Sequence, residues 1–398
     1  MEKNKSVLFL SPFFYPEEIS TGKYNTYLVK ELVKQGVDVD VVSSFPFYPE
    51  WAPRNTDLTV DGVRIVRGGL GIKYPSSQIF KRVLLEVWYS FHVGRYLLKK
   101  RNEIGEVIVV FPPVFFMFVV SVLLPKKIKK TGIVHDLQGV MAKADSSIFR
   151  SVVSAVMLGI ERRAFAKMDK LICLSRSMCD ILVMDYKVDK NALEISYPFV
   201  TSIDSAVETN ELDKLFSSEL IHVVYSGALG EKQKPLELLE LFKEVSVLNA
   251  DIRCHIISKG PVFEELKLAC DKESYPVVFH DLVPEELLDE LYLKSALQLI
   301  PQAPGTGAGA FPSKLPNLLF KGVPVFAICD EGSELDSLLD QFEFCKVSYH
   351  WDIKLLATEL VDYVGSIESF SHSVVKEKNH LKLEKLFGVK ELVNILLR

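Results

Sequence analysis

Short apolar runs of strand length alternate with stretches of helical period from the start of the chain. Val7 to Leu10, Val39 to Ser43 and Val107 to Phe111 are runs of the first kind, while Tyr24 to Gln35 and Phe80 to Arg101 repeat apolar residues every three or four positions. Ile133 to Val134, a helical stretch through Ala166, Leu171 to Leu174 and Ile195 to Tyr197 complete the series. Strands separated by helices are crossover-connected, so the pattern predicts a parallel, doubly wound α/β sheet. The polar segment Thr201 to Glu219 breaks the rhythm and reads as a linker.

The alternation then begins again. Strands are predicted at Ile221 to Tyr225, Arg253 to Ile257, Val277 to Phe279, Leu297 to Ile300 and Val325 to Ile328, with helices at Pro235 to Leu248 and near Phe263 to Asp271, Pro284 to Leu293 and Lys314 to Lys321. Two Rossmann-like domains are expected, residues 1–200 and 220–375, joined by the linker 201–219. A helical segment, 376–398, is expected to pack back on the first domain. The two parallel sheets are expected to face each other across a cleft. In such sheets ligands lie beyond the carboxyl ends of the strands, so the loops there should hold the chemistry.

Composition narrows the classes. At 398 residues, 48% hydrophobic and 25% charged, the chain is long enough for two cores and is neither collagen-like nor low-complexity. Its six cysteines form no CxxC pair and no zinc spacing, which suits a reduced, cytosolic compartment. The start, MEKNKSVLFLSPF, predicts no signal peptide. Val107 to Leu124 is long enough to suggest a membrane span, but Pro112 and Pro113 divide it into a buried strand and a helix from about Val114. The net charge of −5 conceals an asymmetry: residues 1–200 carry +8 and residues 201–398 carry −13.

Candidate chemistry lies in the loops. The first strand runs into SPFFYPEEISTGKYN, which lacks the GxGxxG of dinucleotide enzymes; its Gly22 either merely permits a turn or lets helix-opening amides approach an anion. Asp38 and Asp40 resemble a DxD metal motif, but strand alternation places both on a solvent face, and no metal site is predicted. The stretch Tyr225 to Pro235 joins a strand to a helix through a glycine-containing turn with Lys232 and Lys234, and Pro304 to Lys314 is a second glycine loop leading into a helix. Both suit a diphosphate, with Gly227, Lys232, Ser313 and Lys314 as candidate contacts. His135 and Asp136 follow a strand of the other half; Asp136 either accepts a proton beside His135 or caps the next helix.

Basic and apolar residues also cluster in the first half. Lys81, Arg82 and the run Arg95 to Arg101 flank an aromatic amphipathic helix, Lys126, Lys127, Lys129 and Lys130 form a basic group, and Ile148 to Ile160 is apolar. These are candidate membrane-facing residues for an anionic surface.

The segments YPEEISTGKYN, FPFYPEW, FPPVFF, HDLQG, ERRAFAKMDKLICLSRSM, YSGALGEKQ, SKGP, FHDLVPEELLDELY, and LIPQ followed by FPSKLPNLLFKGVPVFA and EGSELDSLL, taken in order, are specific. Over nearly the whole chain the sequence resembles the family 4 glycosyltransferases of two-Rossmann (GT-B) architecture, in particular the bacterial group of colanic-acid, O-antigen and fucosamine transferases. The resemblance implies retaining sugar transfer from a nucleotide-diphosphate donor, UDP-linked, without a metal or other cofactor. It implies a donor diphosphate against Gly227, Lys232, Ser313 and Lys314, with Gly22 facing the phosphates, and a base near His280, Asp281, Leu282 and Val283. His135 and Asp136 occupy the acceptor-side catalytic position, Asp136 foremost. Two glutamates common in the family are replaced by Gly309 and Asn317, and Ala228 stands where an arginine is frequent; Asn317 can still bond a hydroxyl.

The implied enzyme assembles cell-surface polysaccharide on a lipid-diphosphate-linked saccharide, as a cytoplasmic protein peripheral to the inner face of the plasma membrane. A nucleotide-sugar epimerase and a non-catalytic sugar-nucleotide or lipid-binding partner are the alternatives. No nucleic-acid partner is expected, because the total charge is negative and no reading motif occurs.

Overall fold

The computed structural model describes residues 6–17, 19–48, 50–75, 77–137, 148–201, 211–216, 219–273, 276–307, 311–367 and 371–398. The chain divides into two compact units, Met1–Thr201 with Phe387–Arg398, and Ser202–Leu386.

The first unit holds seven parallel strands: β1 (Ser6–Leu10), β2 (Val39–Ser44), β3 (Val63–Gly68), β4 (Ile104–Phe111), β5 (Lys129–Val134), β6 (Lys170–Cys173) and β7 (Leu193–Ile195). Their order, β3-β2-β1-β4-β5-β6-β7, reverses direction between β1 and β4, which makes the carboxyl ends of those two strands the topological switch point. Strand β3 was not evident in the sequence. It is an edge strand whose Arg64 and Arg67 interrupt the apolar run. Helices Ser20–Lys34, Gln78–Lys100, Phe116–Leu123 and Arg176–Met184 are among those covering the faces. The apolar stretch predicted to divide at the prolines does so: β4 ends at Phe111 and a new helix begins at Phe116. Among the described residues no helix is long and apolar enough to cross a membrane.

The last helix, Val389–Leu397, buries Leu392, Val393 and Leu396 among Leu28, Val29 and Leu32 of this unit. Each such side chain contributes about 1.5–3 kcal/mol when fully buried. Lys129 and Lys170 donate to the terminal carbonyls of Leu396 (3.2 Å) and Ile395 (3.1 Å), where a cation also meets the negative end of the helix dipole. The preceding helix, His372–Phe387, belongs to the second unit up to Leu386.

The second unit contains β8 (Ile221–Ser226), β9 (Ile252–Ser258), β10 (Val277–Asp281), β11 (Leu297–Pro301), β12 (Val325–Ile328) and β13 (Cys345–Ser348). All are parallel, in the order β10-β9-β8-β11-β12-β13, with the switch point between β8 and β11. Its core joins Val223, Leu238, Phe242, Ile256, Leu299, Phe326 and Leu360. The predicted linker is only partly a linker. Within it Leu212 and Phe216 are buried, and Leu212 N–H donates to the Glu290 carboxylate at 3.0 Å. The rest of 202–210 and 217–218 lies outside the described residues.

Candidate functional site

In the second unit, β8 runs into Gly227, whose φ of +134° is a conformation that L side chains rarely adopt. Its N–H donates to Ile257 O (3.0 Å) and its carbonyl accepts from Ser258 Oγ (2.7 Å), so the end of β9 holds the turn in place. Tyr225 Oη closes the turn on Ala228 O. Lys232 lies in a short 3₁₀ turn, Glu231–Gln233, and its carbonyl accepts from Ala303 N–H at 2.7 Å. That bond ties together the two loops predicted to share a diphosphate. Lys234, the other candidate cation, pairs with Glu237 at 2.7 Å and lies over the Trp351 ring.

Lys314 occupies the switch point itself. Its Nζ donates to Ser226 O at the end of β8 (3.0 Å) and to Leu299 O in β11 (2.9 Å), and lies 4.9 Å from the centre of the Tyr225 ring. Burial among these groups pushes its ammonium down to about 7. Ser313 is exposed, and Asn317 is half-buried in the helix Leu315–Phe320 that follows. Gly309 lies outside the described residues.

His280 and Asp281, predicted in a loop, are instead the last residues of β10, which pairs with β9 as far as Ser258; Leu282 and Val283 follow in the loop. His280 Nε2 bonds His255 Nδ1 (3.2 Å), whose Nε2 bonds His222 Nδ1 (2.9 Å). Phe216 stacks on His255. Burial lowers His255 to about 3, so the central ring of the ladder is neutral, and burial lowers His280 in the same direction. The sequence signal was a single histidine in each of three adjacent strands. Only the diagonal register brings them together.

In the first unit, His135 follows β5; its N–H donates to Phe111 O at 3.0 Å and its ring lies 6.1 Å from that of Tyr24. Burial pushes His135 down to about 4, so the ring is neutral near pH 7. Asp136 Oδ1 accepts from Leu137 N–H at 2.9 Å. Residues 138–147 lie outside the described set, and with them the capping alternative. Gly22 does not open its helix: the helix begins at Ser20, and a Cβ at Gly22 would lie 2.9 Å from both Cβ and O of Glu17. Glu17 has no local sequence signature for its role. Its buried carboxylate accepts from Phe47 N–H (2.9 Å) and Tyr48 N–H (2.6 Å), binding the YPEE and FPFYPEW loops together.

Three expectations need correction. Asp40 is buried rather than on a solvent face, with Arg64 Nε at 2.5 Å and Tyr96 Oη at 2.7 Å; only Asp38 is exposed. The pair therefore cannot converge on one ion: Asp38 precedes β2 and is exposed, whereas Asp40 lies within the strand and is packed under Tyr96 of helix Gln78–Lys100 and beside Arg64. Lys129 and Lys130 belong to β5, which starts four residues earlier than the apolar pattern indicated. Lys129 is held by Glu106 (3.1 Å) and the last helix, while Lys130 is buried with Nζ on Ile128 O (2.7 Å). Neither can face a membrane; Lys126, Lys127 and Arg82 are exposed and Lys81 is half-buried, 4.4 Å from the Trp51 ring centre.

Residues 21–202 match the profile of Glycosyltransferase Family 4. A protein of Escherichia coli (strain K12) named as a colanic acid biosynthesis glycosyl transferase, WcaI, is 25% identical over 358 residues, covering 83% of this chain and 84% of its own. The chain is a glycosyltransferase of the GT-B type. Sucrose-phosphate synthase from Thermosynechococcus elongatus shares the fold of this glycosyltransferase with a TM-score of 0.72 at 14% identity, over 99% of this chain and 98% of that one. Anabaena Alr3699/HepE, solved in complex with UDP and glucose, gives 0.64 at 11% identity, over 98% and 99%. Both of the glycosyltransferase's sheets thus have the doubly wound order whose switch points carry ligands in this class of fold.

Proposed function

We propose that the glycosyltransferase moves a sugar from a nucleotide-diphosphate donor, UDP-linked, to a lipid-diphosphate-linked saccharide during assembly of a cell-surface polysaccharide. The observation that carries the donor half is Lys314: a cation at the switch point between β8 and β11, beside the open glycine turn at Gly227. The donor's diphosphate lies over that turn, with Lys232 and Ser313 at its edge and the base against His280 to Val283. UDP in the Anabaena neighbour and the colanic-acid name of the E. coli relative support the choice of nucleotide and of pathway class.

As the bond from the anomeric carbon to the diphosphate breaks, the electron pair and its charge pass to the leaving group. Lys314, Lys232 and the turn amides stabilise that charge without a metal, and pre-oriented groups of this kind supply the largest share of many enzymes' rate enhancement. Asp136 takes the proton of the acceptor hydroxyl while neutral His135 contacts the acceptor. Retention of anomeric configuration is proposed from the family match alone.

The test is UDP release from a panel of UDP-sugars, with and without a lipid-linked saccharide. Acceptor-dependent release by the native protein, lost in Lys232→Ala and Lys314→Ala variants that remain folded, supports the assignment. Native turnover by both variants removes it. Conversion of the donor with no acceptor present would instead mark an epimerase.

A further inference from the structure

We infer that His280 reads the base of the nucleotide through its Nδ1 atom, as a hydrogen-bond acceptor that suits uracil and rejects cytosine, and that His255 is the positioning residue that holds it in that form. The inference rests on the proposed placement of the base against His280 to Val283. The three histidines lie on one face of the second sheet. Register pairs His222 with Arg253 and His255 with Val278, so each ring meets the next one two residues further along the neighbouring strand. The ladder therefore climbs from the start of β8 to the carboxyl end of β10, the side on which ligands lie in such sheets. His222 and His255 are buried, with Phe216 stacked on His255 at a ring separation of 4.9 Å, whereas His280 is half-buried. His255 takes up Nε2 of His280; Nδ1 of His280 makes no hydrogen bond among the described residues and is not sealed from solvent.

Both nitrogens of His255 are engaged by other imidazoles, Nε2 at 2.9 Å and Nδ1 at 3.2 Å. A neutral ring carries one N–H, and burial keeps His255 neutral by lowering it to about 3, so one of its nitrogens donates and the other accepts. The bonds therefore run in a single direction along the ladder. When they run from His280 towards His222, His280 and His255 each carry the proton on Nε2 and His222 Nδ1 accepts at the far end. Histidine prefers that tautomer on its own, and the opposite direction would force the less stable Nδ1–H form on every ring. Burial also lowers His280 from its ordinary 6.5, so above about pH 7 its Nδ1 offers a lone pair and no proton. Uracil has an N–H at N3 that donates to such an atom. Cytosine has a bare lone pair at N3, which would face the lone pair of His280 and leave both acceptors unpaired.

Nitrogen-15 shifts of the imidazole rings in the full native chain read the tautomer directly, with His280 identified by the signal lost in His280→Phe. A pyridine-like Nδ1 on His280 is expected, and a pyrrole-like one overturns the inference; this measurement needs no change to the buried ring. Calorimetric titration with UDP and with CDP then measures the discrimination. The native protein should prefer UDP by about 10- to 100-fold, the range set by leaving a desolvated acceptor unpaired. His255→Phe keeps an aromatic ring against Phe216 but frees His280 to take either tautomer, and should remove most of that preference, as should His280→Phe. Lys314→Met should weaken both nucleotides and leave their ratio unchanged, because the diphosphate is common to them. UDP binding with no preference over CDP, or a preference that survives His280→Phe or His255→Phe in folded protein, overturns the base reader and leaves the donor site standing. Binding of neither nucleotide by the native protein overturns both.

Discussion

The ammonium group of Lys314 donates to the carbonyl oxygen of Ser226 at 3.0 Å, and so lies between the carboxyl ends of the two strands where the second sheet reverses its order. A lysine that served only to tie β8 to β11 would be replaceable, at some cost in stability, without loss of donor binding. A lysine that also meets a diphosphate would not. Charge-assisted hydrogen bonds are worth about 1.5–3 kcal/mol, so Lys314→Met should weaken UDP binding by about 10- to 100-fold. Calorimetric titration with UDP measures this, and unchanged affinity in the folded variant returns Lys314 to a purely structural role.

The same residue predicts a proton linkage. Burial holds Lys314 near 7, against 10.5 for a free lysine. Between those values the unfolded chain binds a proton that the native protein lacks, so this residue makes the unliganded protein more stable as pH rises through the window. A bound diphosphate favours the charged form and reverses the preference. UDP binding above about pH 7 should therefore take up a proton and weaken as pH rises. Titrations in buffers of different ionisation enthalpy should show that uptake in the native protein and none in Lys314→Met.

Periodicity alone was enough to read the doubly wound class, because buried parallel strands appear as apolar runs whatever their neighbours. What it could not resolve were strands carrying charge: β3 with Arg64 and Arg67, and the first half of β5 with Lys129 and Lys130. Arg64, Arg67 and Lys129 are tolerated through long-range partners, Asp40, Tyr15 O, Glu106 and the final helix, none of which is near in sequence, while buried Lys130 bonds the neighbouring Ile128 carbonyl. The glycine turns and Lys314 were legible because a loop between strand and helix has a local signature. The histidine ladder and Glu17 were not, since each depends on register or on a loop returning from about 30 residues away.

Glu86 predicts a pH dependence of folding. Its Oε2 accepts from both Val114 N–H (2.9 Å) and Phe115 N–H (2.8 Å), yet burial dominates and raises its pKa from 4.5 to about 7. The native state then binds a proton that the unfolded chain has released between those values, so stability falls as pH rises through the window, by on the order of 3 kcal/mol. In Glu86→Gln a single amide oxygen can occupy the Oε2 position and serve both donors without charge. Urea denaturation at several pH values should show this variant equal to the native protein near pH 4.5 and more stable above 7, with the slope flattened.

Gly22 is set by packing. A Cβ there meets Glu17 Cβ and O at 2.9 Å, and Glu17 in turn holds the Phe47 and Tyr48 amides. Gly22→Ala should cost about 1–3 kcal/mol, as overpacking generally does. Glu17→Ala should cost at least as much by leaving two donors without their acceptor. If Gly22→Ala leaves the melting temperature unchanged, the helix start relaxes freely and its glycine is not required by this contact.

Asp136 and His135 separate by charge. Burial keeps His135 down near 4, so its ring is neutral wherever transfer is assayed near pH 7 and cannot supply a cation to the reaction. Under the proposed mechanism the acceptor's proton goes to the Asp136 carboxylate, with His135 acting as a neutral group. General-base assistance is worth about 10²- to 10⁴-fold, so Asp136→Asn should lower kcat by that order while leaving UDP affinity unchanged. His135→Gln keeps a neutral hydrogen-bonding side chain and should act mainly on KM for the acceptor. The pH profile of kcat discriminates: with a neutral imidazole it has no acid limb near 6.5, and a limb there that disappears in His135→Gln would show that the histidine, not the aspartate, carries the proton.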